Sequence, residues 1–252
     1  MNQSFHRDDS ASTMAPRRMR GAVLLGRLPL LLWLVSCCMH TAWAAPAPRT
    51  IVLVRHGHYL PDPNADARLG PGISTLGVAQ ARLVGARLAG WPGGFDALHA
   101  SPLQRARDTA AVIGEDFPGR SFDVVDDLAE CTPPTRRKEV VAGVPDEDLA
   151  SCKAQLDRLF ARYFTPAEEA ARSEVFVCHG NVIRYLVTRA LGVDSLAWLE
   201  MSIGHASMTR IRVEPDGSFR VVAVGDVGHL PPNLLTGASG DPERSLAVPP
   251  FR

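Results

Sequence analysis

Ile51-Val52-Leu53-Val54-Arg55-His56-Gly57 decides the fold: four apolar residues of the kind found in a sheet covered on both faces stop at an arginine, a histidine and a glycine. A short apolar run bounded by a turn residue reads as a strand, and this one delivers a reactive pair to its own carboxyl end. The same grammar returns at Val175-Phe176-Val177-Cys178-His179-Gly180. In an open α/β sheet the carboxyl ends of the strands line the ligand crevice, so both histidines are expected on one rim.

Between them lies Leu98-His99-Ala100-Ser101-Pro102-Leu103-Gln104-Arg105, read as a short strand, a proline turn and the first turn of a helix. Arg55, His56, Arg105 and His179 then make an anion site. Guanidinium groups suit paired phosphate oxygens because their planar fork stays charged at any relevant pH. A neutral imidazole with one ring nitrogen held by a backbone acceptor aims the other at phosphorus. His56-Gly57-His58 also invites a metal reading, but no carboxylate cluster accompanies it, and neither a metal nor another cofactor is expected.

The remaining elements follow from period and punctuation. Ala45-Pro46-Ala47-Pro48 reads as a linker, and residues 58–72 as a polar loop walling the site. Ser74 is a candidate N-cap for a helix over 75–88, with Leu76, Ala79, Leu83, Ala86 and Leu88 on its apolar face. A strand at 97–99, a helix at 103–114 and a strand at 122–125 give βαβ alternation. The predicted fold is therefore a three-layer α/β/α sandwich with a mostly parallel sheet. Residues 130–144 read as an irregular lid, and residues 145–164 as a long helix packing Leu149, Cys152, Leu156, Leu159, Phe160 and Tyr163. A strand at 174–178, a helix at 181–191 and a short helix at 196–199 follow. A hairpin over 209–213 and 220–224 turns at Pro215-Asp216-Gly217, and everything from Asn233 onward reads as a flexible tail.

With 252 residues, 46% hydrophobic and 21% charged, the chain can bury one sizeable core, and one domain is expected. Its 27 basic residues balance 27 acidic ones, so no global field would draw nucleic acid, which is not expected as a partner. Phosphate recognition must be local. At the amino end, Arg17, Arg18 and Arg20 precede an apolar stretch from Ala22 to Val35, and Ala42-Trp43-Ala44 carries small residues where an export peptidase reads. Residues 1–44 are thus expected to be an export signal directing the chain to a bacterial periplasm, with translation starting at Met1, Met14 or Met19. Two alternatives stand beside this reading. Leu34-Val35-Ser36-Cys37 fits a lipoprotein box that would lipidate Cys37, and a retained segment would anchor the chain. Only then is a membrane a partner. Oligomeric state is not legible.

Arg55-His56-Gly57, the pattern Ser-x-x-x-Arg-Ala-x-x-Thr-Ala from Ser101 to Ala110, and His179-Gly180 occur in that order and resemble the histidine phosphatase superfamily over residues 50–232. Val177 to Leu186 and Gly225-Asp226-Val227-Gly228-His229-Leu230-Pro231-Pro232 are similar, more narrowly, to the mitochondrial Ser/Thr protein phosphatases of its phosphoglycerate mutase-like branch. The Trp-Asp-rich assembly motif of that group has no counterpart, so its multimerisation is not carried over. The resemblance implies a phosphomonoester hydrolase working through phospho-His56. Arg55, Arg105 and a cationic His179 would hold the equatorial oxygens, with Gly180 beside them. It places a general acid at Glu130, with Asp126, Asp127 and Glu139 as rivals, and a substrate contact at His58, where many relatives carry glutamate or glutamine. The substrate is then a phosphorylated small molecule or a phosphoprotein. A phosphoglycerate mutase-type phosphotransferase is the nearest alternative, and a non-catalytic phosphate-binding module a more distant one.

Other polar residues read as ordinary ones. His205 is expected to be a satisfied structural histidine, although its segment could face the site. Arg107 and the run Arg136-Arg137-Lys138 are expected to be solvated, and Arg184 to pair internally. Cys178 reads as a buried free thiol, and no cysteine pair has zinc spacing. In an exported chain, Cys131 beside Glu130 and Cys152 on the helix behind the lid are candidates for a disulfide, against two unpaired thiols.

Overall fold

The computed structural model describes residues 45–237. Its six strands are β1 (Arg49–Arg55), β2 (Ala97–Ala100), β3 (Asp123–Val124), β4 (Arg172–Cys178), β5 (Met208–Val213) and β6 (Phe219–Asp226). They form one sheet in the order β3-β2-β4-β1-β5-β6. The first four run parallel, while β5 and β6 join β1 as an antiparallel hairpin. β1 and β4 pair from Arg49 opposite Arg172 to Arg55 opposite Cys178, which brings His56 and His179 together at the carboxyl edge. Ser101, just past β2, donates its amide to Val177 O at 2.9 Å and so reaches the same rim.

Side-chain alternation along β1 divides the interior in two. Ile51 and Leu53 pack with residues of α3 (Asp146–Tyr163) and α4 (Gly180–Leu191). Val52 and Val54 pack with those of α1 (Thr75–Ala89) and α2 (Gln104–Gly114). A strand buried on both faces must be apolar throughout, which is why its sequence does not alternate. Each such Val, Leu, Ile or Phe contributes about 1.5–3 kcal/mol of burial. The result is the expected α/β/α sandwich. Cys178 is the buried free thiol of β4.

Ser74 caps α1 as expected, its Oγ accepting from Gly77 N. The apolar face expected on this helix is corrected: Gly77, Gln80, Ala81, Val84, Gly85 and Leu88 are buried, whereas Leu76, Ala79 and Leu83 are half-buried and Ala86 is exposed. Close approach decides the face here. A Cβ on Gly77 would lie 2.2 Å from the backbone oxygen of His58, so only glycine lets the helix sit this near, and one on Gly85 would displace the Asp116 carboxylate.

Both ends of the domain also differ from expectation. The linker at 45–49 is tied down: Ala47 and Ala167 exchange backbone hydrogen bonds of 2.8 Å, and Arg49 already belongs to β1. Residues 234–237, expected to belong to a flexible tail, instead pack on the site, with Thr236 buried. Its composition misleads because this stretch contributes carbonyls and a hydroxyl rather than apolar bulk. Residues 1–44, with the leader, Cys37 and Ala42-Trp43-Ala44, and residues 238–252 lie outside the described residues. Among the described residues no helix is long and apolar enough to cross a membrane.

Candidate active site

His56 leaves the end of β1 with its amide bonded to Cys178 O at 2.9 Å, and its side chain is buried. Its Nδ1 stands 2.8 Å from Gly57 O. A carbonyl can only accept, so the ring proton is on Nδ1 and the lone pair on Nε2. Arg105 Nε donates to that lone pair at 3.1 Å. Burial, then His179, Arg55, His205 and Arg105, hold the His56 pKa well below the ordinary value, so the ring is neutral. Thr109 fixes the geometry from behind: its Oγ1 accepts from Gly57 N at 2.9 Å and donates to Arg105 O at 2.7 Å.

Arg55, Arg105 and His179 surround this ring. Arg55 is anchored by Nη1 to Ile203 O at 2.5 Å and Gly237 O at 2.9 Å, which leaves its Nε buried without a partner. Burial lowers the Arg55 pKa to about 10, so it stays charged at neutral pH. Arg105 lies with its guanidinium carbon 5.3 Å from the centre of the Tyr59 ring. His179 is the N-cap of α4 and is followed by Gly180 in the first helical turn, so the positive end of the helix dipole lies at the same rim. The His179 ring is 5.1 Å from that of His56, with Nε2 2.7 Å from Ser101 Oγ and Nδ1 sealed without a partner. Burial, then Arg105 and Arg55, press the His179 pKa well below the usual range, so its expected cationic state needs a negative charge beside it.

Glu130 follows a 3₁₀ turn at Asp126–Leu128, and its Oε1 is shielded from solvent and unpaired. Burial raises its pKa to about 7 against the opposing pull of Arg55, Arg105, the Asn181 amide and Arg184. The rivals sit apart from this environment: Asp126 is exposed, Asp127 pairs with Arg158 at 2.8 Å, and exposed Glu139 pairs with Arg137 at 2.9 Å. The segment around Glu130 is firmly held. Gln155 donates to Ala129 O at 2.9 Å, Asn181 donates to Cys131 O at 3.1 Å, and Cys131 is disulfide-bonded to Cys152 on α3. By chain-entropy reasoning, closing a loop with a sequence separation of 21 contributes about 3 kcal/mol.

The lid is less free than its composition suggests. Trp198 Nε1 donates to Pro134 O at 2.9 Å and Arg136 N to Leu196 O at 3.1 Å, so Pro134 and Arg136 are tied to the 3₁₀ helix Ser195–Glu200, with Pro133 and Thr135 buried. Arg136, Arg137 and Lys138 are exposed, as is Arg107. Arg184 bonds to Met201 O and the Asn181 side chain, an internal pairing.

His58 stands at the rim, with Nδ1 2.8 Å from Ser74 Oγ and its amide bonded to Gln80 Oε1 at 2.8 Å. The satisfied role expected of His205 is corrected. Its ring lies 5.4 Å from that of His56, Nδ1 meets Thr236 Oγ1 at 3.0 Å, and Nε2 is buried with no partner. Ala206, at φ 54°, turns the chain so that its amide meets the carbonyls of both Arg55 and His56. The late Gly225–Pro232 segment holds that turn: Asp226 pairs with Arg87 of α1, and His229 Nε2 donates to Ala206 O at 2.9 Å. Ser101 and Thr109, fixed positions of the quoted pattern, join the site, and Tyr59, Gln80, Thr236 and Gly237 join it without having been singled out in advance. For the last three no local pattern could have found them, because each acts across more than a hundred residues of chain.

Residues 51–135 and 134–227 match the histidine phosphatase superfamily (branch 1). The chain is 33% identical over 204 residues to the serine/threonine-protein phosphatase Pgam5, mitochondrial, of Caenorhabditis elegans, covering 76% of this chain and 68% of that protein. It is 33% identical over 200 residues to the mitochondrial PGAM5 phosphatase of Homo sapiens, covering 77% and 68%. A solved phosphoglycerate mutase of Plasmodium falciparum superposes with a TM-score of 0.52 at 25% identity, covering 73% of this chain and 95% of its own. The mitochondrial relatives overturn the expectation of export to a bacterial periplasm, with its lipoprotein and anchored alternatives. Residues 10–44 contain arginines and no acidic residue, a composition that mitochondrial transit segments share with export signals. The disulfide therefore rests on the placement of its two cysteines, not on an exported chain.

Proposed function

We propose, for a chain that belongs to the histidine phosphatase superfamily (branch 1), that hydrolysis proceeds by transfer of the phosphoryl group to His56 Nε2. The chain is a phosphatase. The observation that carries the proposal is the protonation of His56: Nδ1–H is committed to Gly57 O, and the remaining lone pair is met by an arginine. In the first step Nε2 attacks phosphorus, the ester P–O bond breaks, and Glu130 protonates the leaving oxygen. In the second, water attacks the phosphohistidine, its proton passes to the Glu130 carboxylate, and the P–N bond breaks to release phosphate. Arg55 and Arg105 hold the equatorial oxygens, with the Gly180 end of α4 behind them. His179 is held below its ordinary pKa by burial, Arg105 and Arg55, and a phosphoryl group beside it favours its cation.

The proposed substrate is a phosphoserine or phosphothreonine protein. Its support is that the relatives named above are Ser/Thr protein phosphatases. Assaying the protein against phosphopeptides and a panel of phosphosugars and nucleotides tests this, with faster phosphate release from the peptides expected. Preference for a metabolite would overturn the substrate class, and transfer to a second hydroxyl without phosphate release would favour the mutase-type reading. The catalytic unit is taken as residues 45–237, since Gly237 supplies a carbonyl to Arg55.

A pH profile isolates the acid. The Glu130 pKa is raised by burial to about 7, so the proton-donating form predominates below that pH and is lost above it. For the wild-type protein acting on alkyl phosphates, kcat/KM is expected to fall as pH rises through about 7. Glu130→Gln is expected to lose roughly 10²–10⁴-fold on those substrates together with this limb. p-Nitrophenyl phosphate, whose leaving group needs little protonation, should suffer far less. Equal losses on both substrates would remove Glu130 from the acid role.

A further inference from the structure

We propose that His205 is a further catalytic residue, a neutral N–H donor that contacts the phosphoryl group as it passes to His56. The inference rests on the phosphoryl site described above and follows from a chain of hydrogen bonds. Gln80 is oriented by the backbone: its Oε1 accepts from the His58 amide at 2.8 Å, so its other end is the NH₂ group. That group donates to Leu234 O at 2.6 Å and to Thr236 Oγ1 at 2.9 Å. Thr236 Oγ1, already accepting, keeps one proton to give, and His205 Nδ1 lies 3.0 Å from it. Among the described residues that hydroxyl proton has no other acceptor, so it goes to Nδ1, and the ring proton sits on Nε2.

That N–H has no partner in the protein although it is buried. A buried donor left unsatisfied is costly unless something arrives to accept from it. The His205 ring is 5.4 Å from that of His56, 5.5 Å from that of His58 and 6.1 Å from that of Tyr59, which puts it beside the attacking ring at the same rim. Burial, then Arg55, His58 and Arg105, push its pKa down to about 2, so it donates without adding charge. Gly237 shares the arrangement: a Cβ there would meet the His205 ring at 2.5 Å and Arg55 Nη1 at 3.3 Å. The segment that anchors the arginine also backs the histidine. A structural histidine would need only Nδ1 and its amide, which bonds to Thr236 O at 3.0 Å, and would leave Nε2 without a purpose.

Four measurements on purified full-length protein test the assignment: steady-state kinetics, inhibition by orthovanadate, thermal melting, and long-range ¹H–¹⁵N spectra of the histidine rings. His205→Ala is expected to lower kcat about 100-fold with KM little changed, and to weaken vanadate inhibition by a similar factor. His205→Gln, whose amide nitrogen reaches the place of Nε2, should recover much of the loss, a rescue that a merely structural role would not produce. The spectra should show the His205 proton on Nε2 in the wild type and a loss of that preference in Thr236→Val. Wild-type kcat and vanadate inhibition in His205→Ala, a proton on Nδ1, or losses in both variants that merely track their melting temperatures would overturn the proposal. His56→Ala separates the two levels: if it stays active, the phosphohistidine reading itself falls and this inference with it. If it is inactive while His205→Ala matches the wild type, only the role of His205 is lost.

Discussion

His56→Ala is expected to abolish phosphate release, with a loss of about 10⁴-fold or more, because it removes the ring nitrogen assigned to form the P–N bond. Without the intermediate, water would have to displace an alkoxide directly in a pocket arranged around a ring nitrogen. Arg55, Arg105 and His179 remain in the variant, so it should still bind vanadate, and that binding together with an unchanged melting curve would separate lost chemistry from lost fold. Activity within a few-fold of wild type would remove His56 from the reaction.

The next largest loss is expected at Arg105. It touches the attacking atom itself, donating from Nε to His56 Nε2 at 3.1 Å, and its guanidinium is braced on Tyr59. During transfer the P–N bond occupies that lone pair, so Nε is released to a phosphoryl oxygen where charge accumulates. Arg105→Ala should lower the single-turnover rate of His56 phosphorylation by about 10²–10³-fold. Arg105→Lys should recover little, because an ammonium lacks the planar fork and cannot reach two oxygens at once. Full recovery in the lysine variant would mean that charge alone is required.

Much of this is legible in the amino-acid sequence. β1 and β4 were readable because a strand covered on both faces must be apolar along its whole length, and the histidines at their ends were therefore marked. The Cys131–Cys152 pairing is legible in the sequence only as one of two readings, beside two unpaired thiols, and the three-dimensional placement of the two cysteines decides it. What escaped depends on three-dimensional proximity. The inner face of α1 is chosen by how closely Gly77 and Gly85 let it approach its neighbours, not by where its leucines fall. Thr236 and Gly237 look like tail because their contributions are a hydroxyl and a carbonyl. The lowered pKa of His179 follows from burial beside two arginines, which no motif records. Glu130 could be chosen over Asp126 and Asp127 only through family resemblance, since the physical difference among them is the shielding of one carboxyl oxygen.

The most direct test of phosphoryl transfer to His56 is to mix enzyme and substrate, quench within the first turnover without acid, and map the phosphate by mass spectrometry of peptides. One phosphate per chain is expected, located on His56 and absent from His56→Ala. Phosphate on a different residue, or rapid turnover by a chain that never carries phosphate, would contradict it.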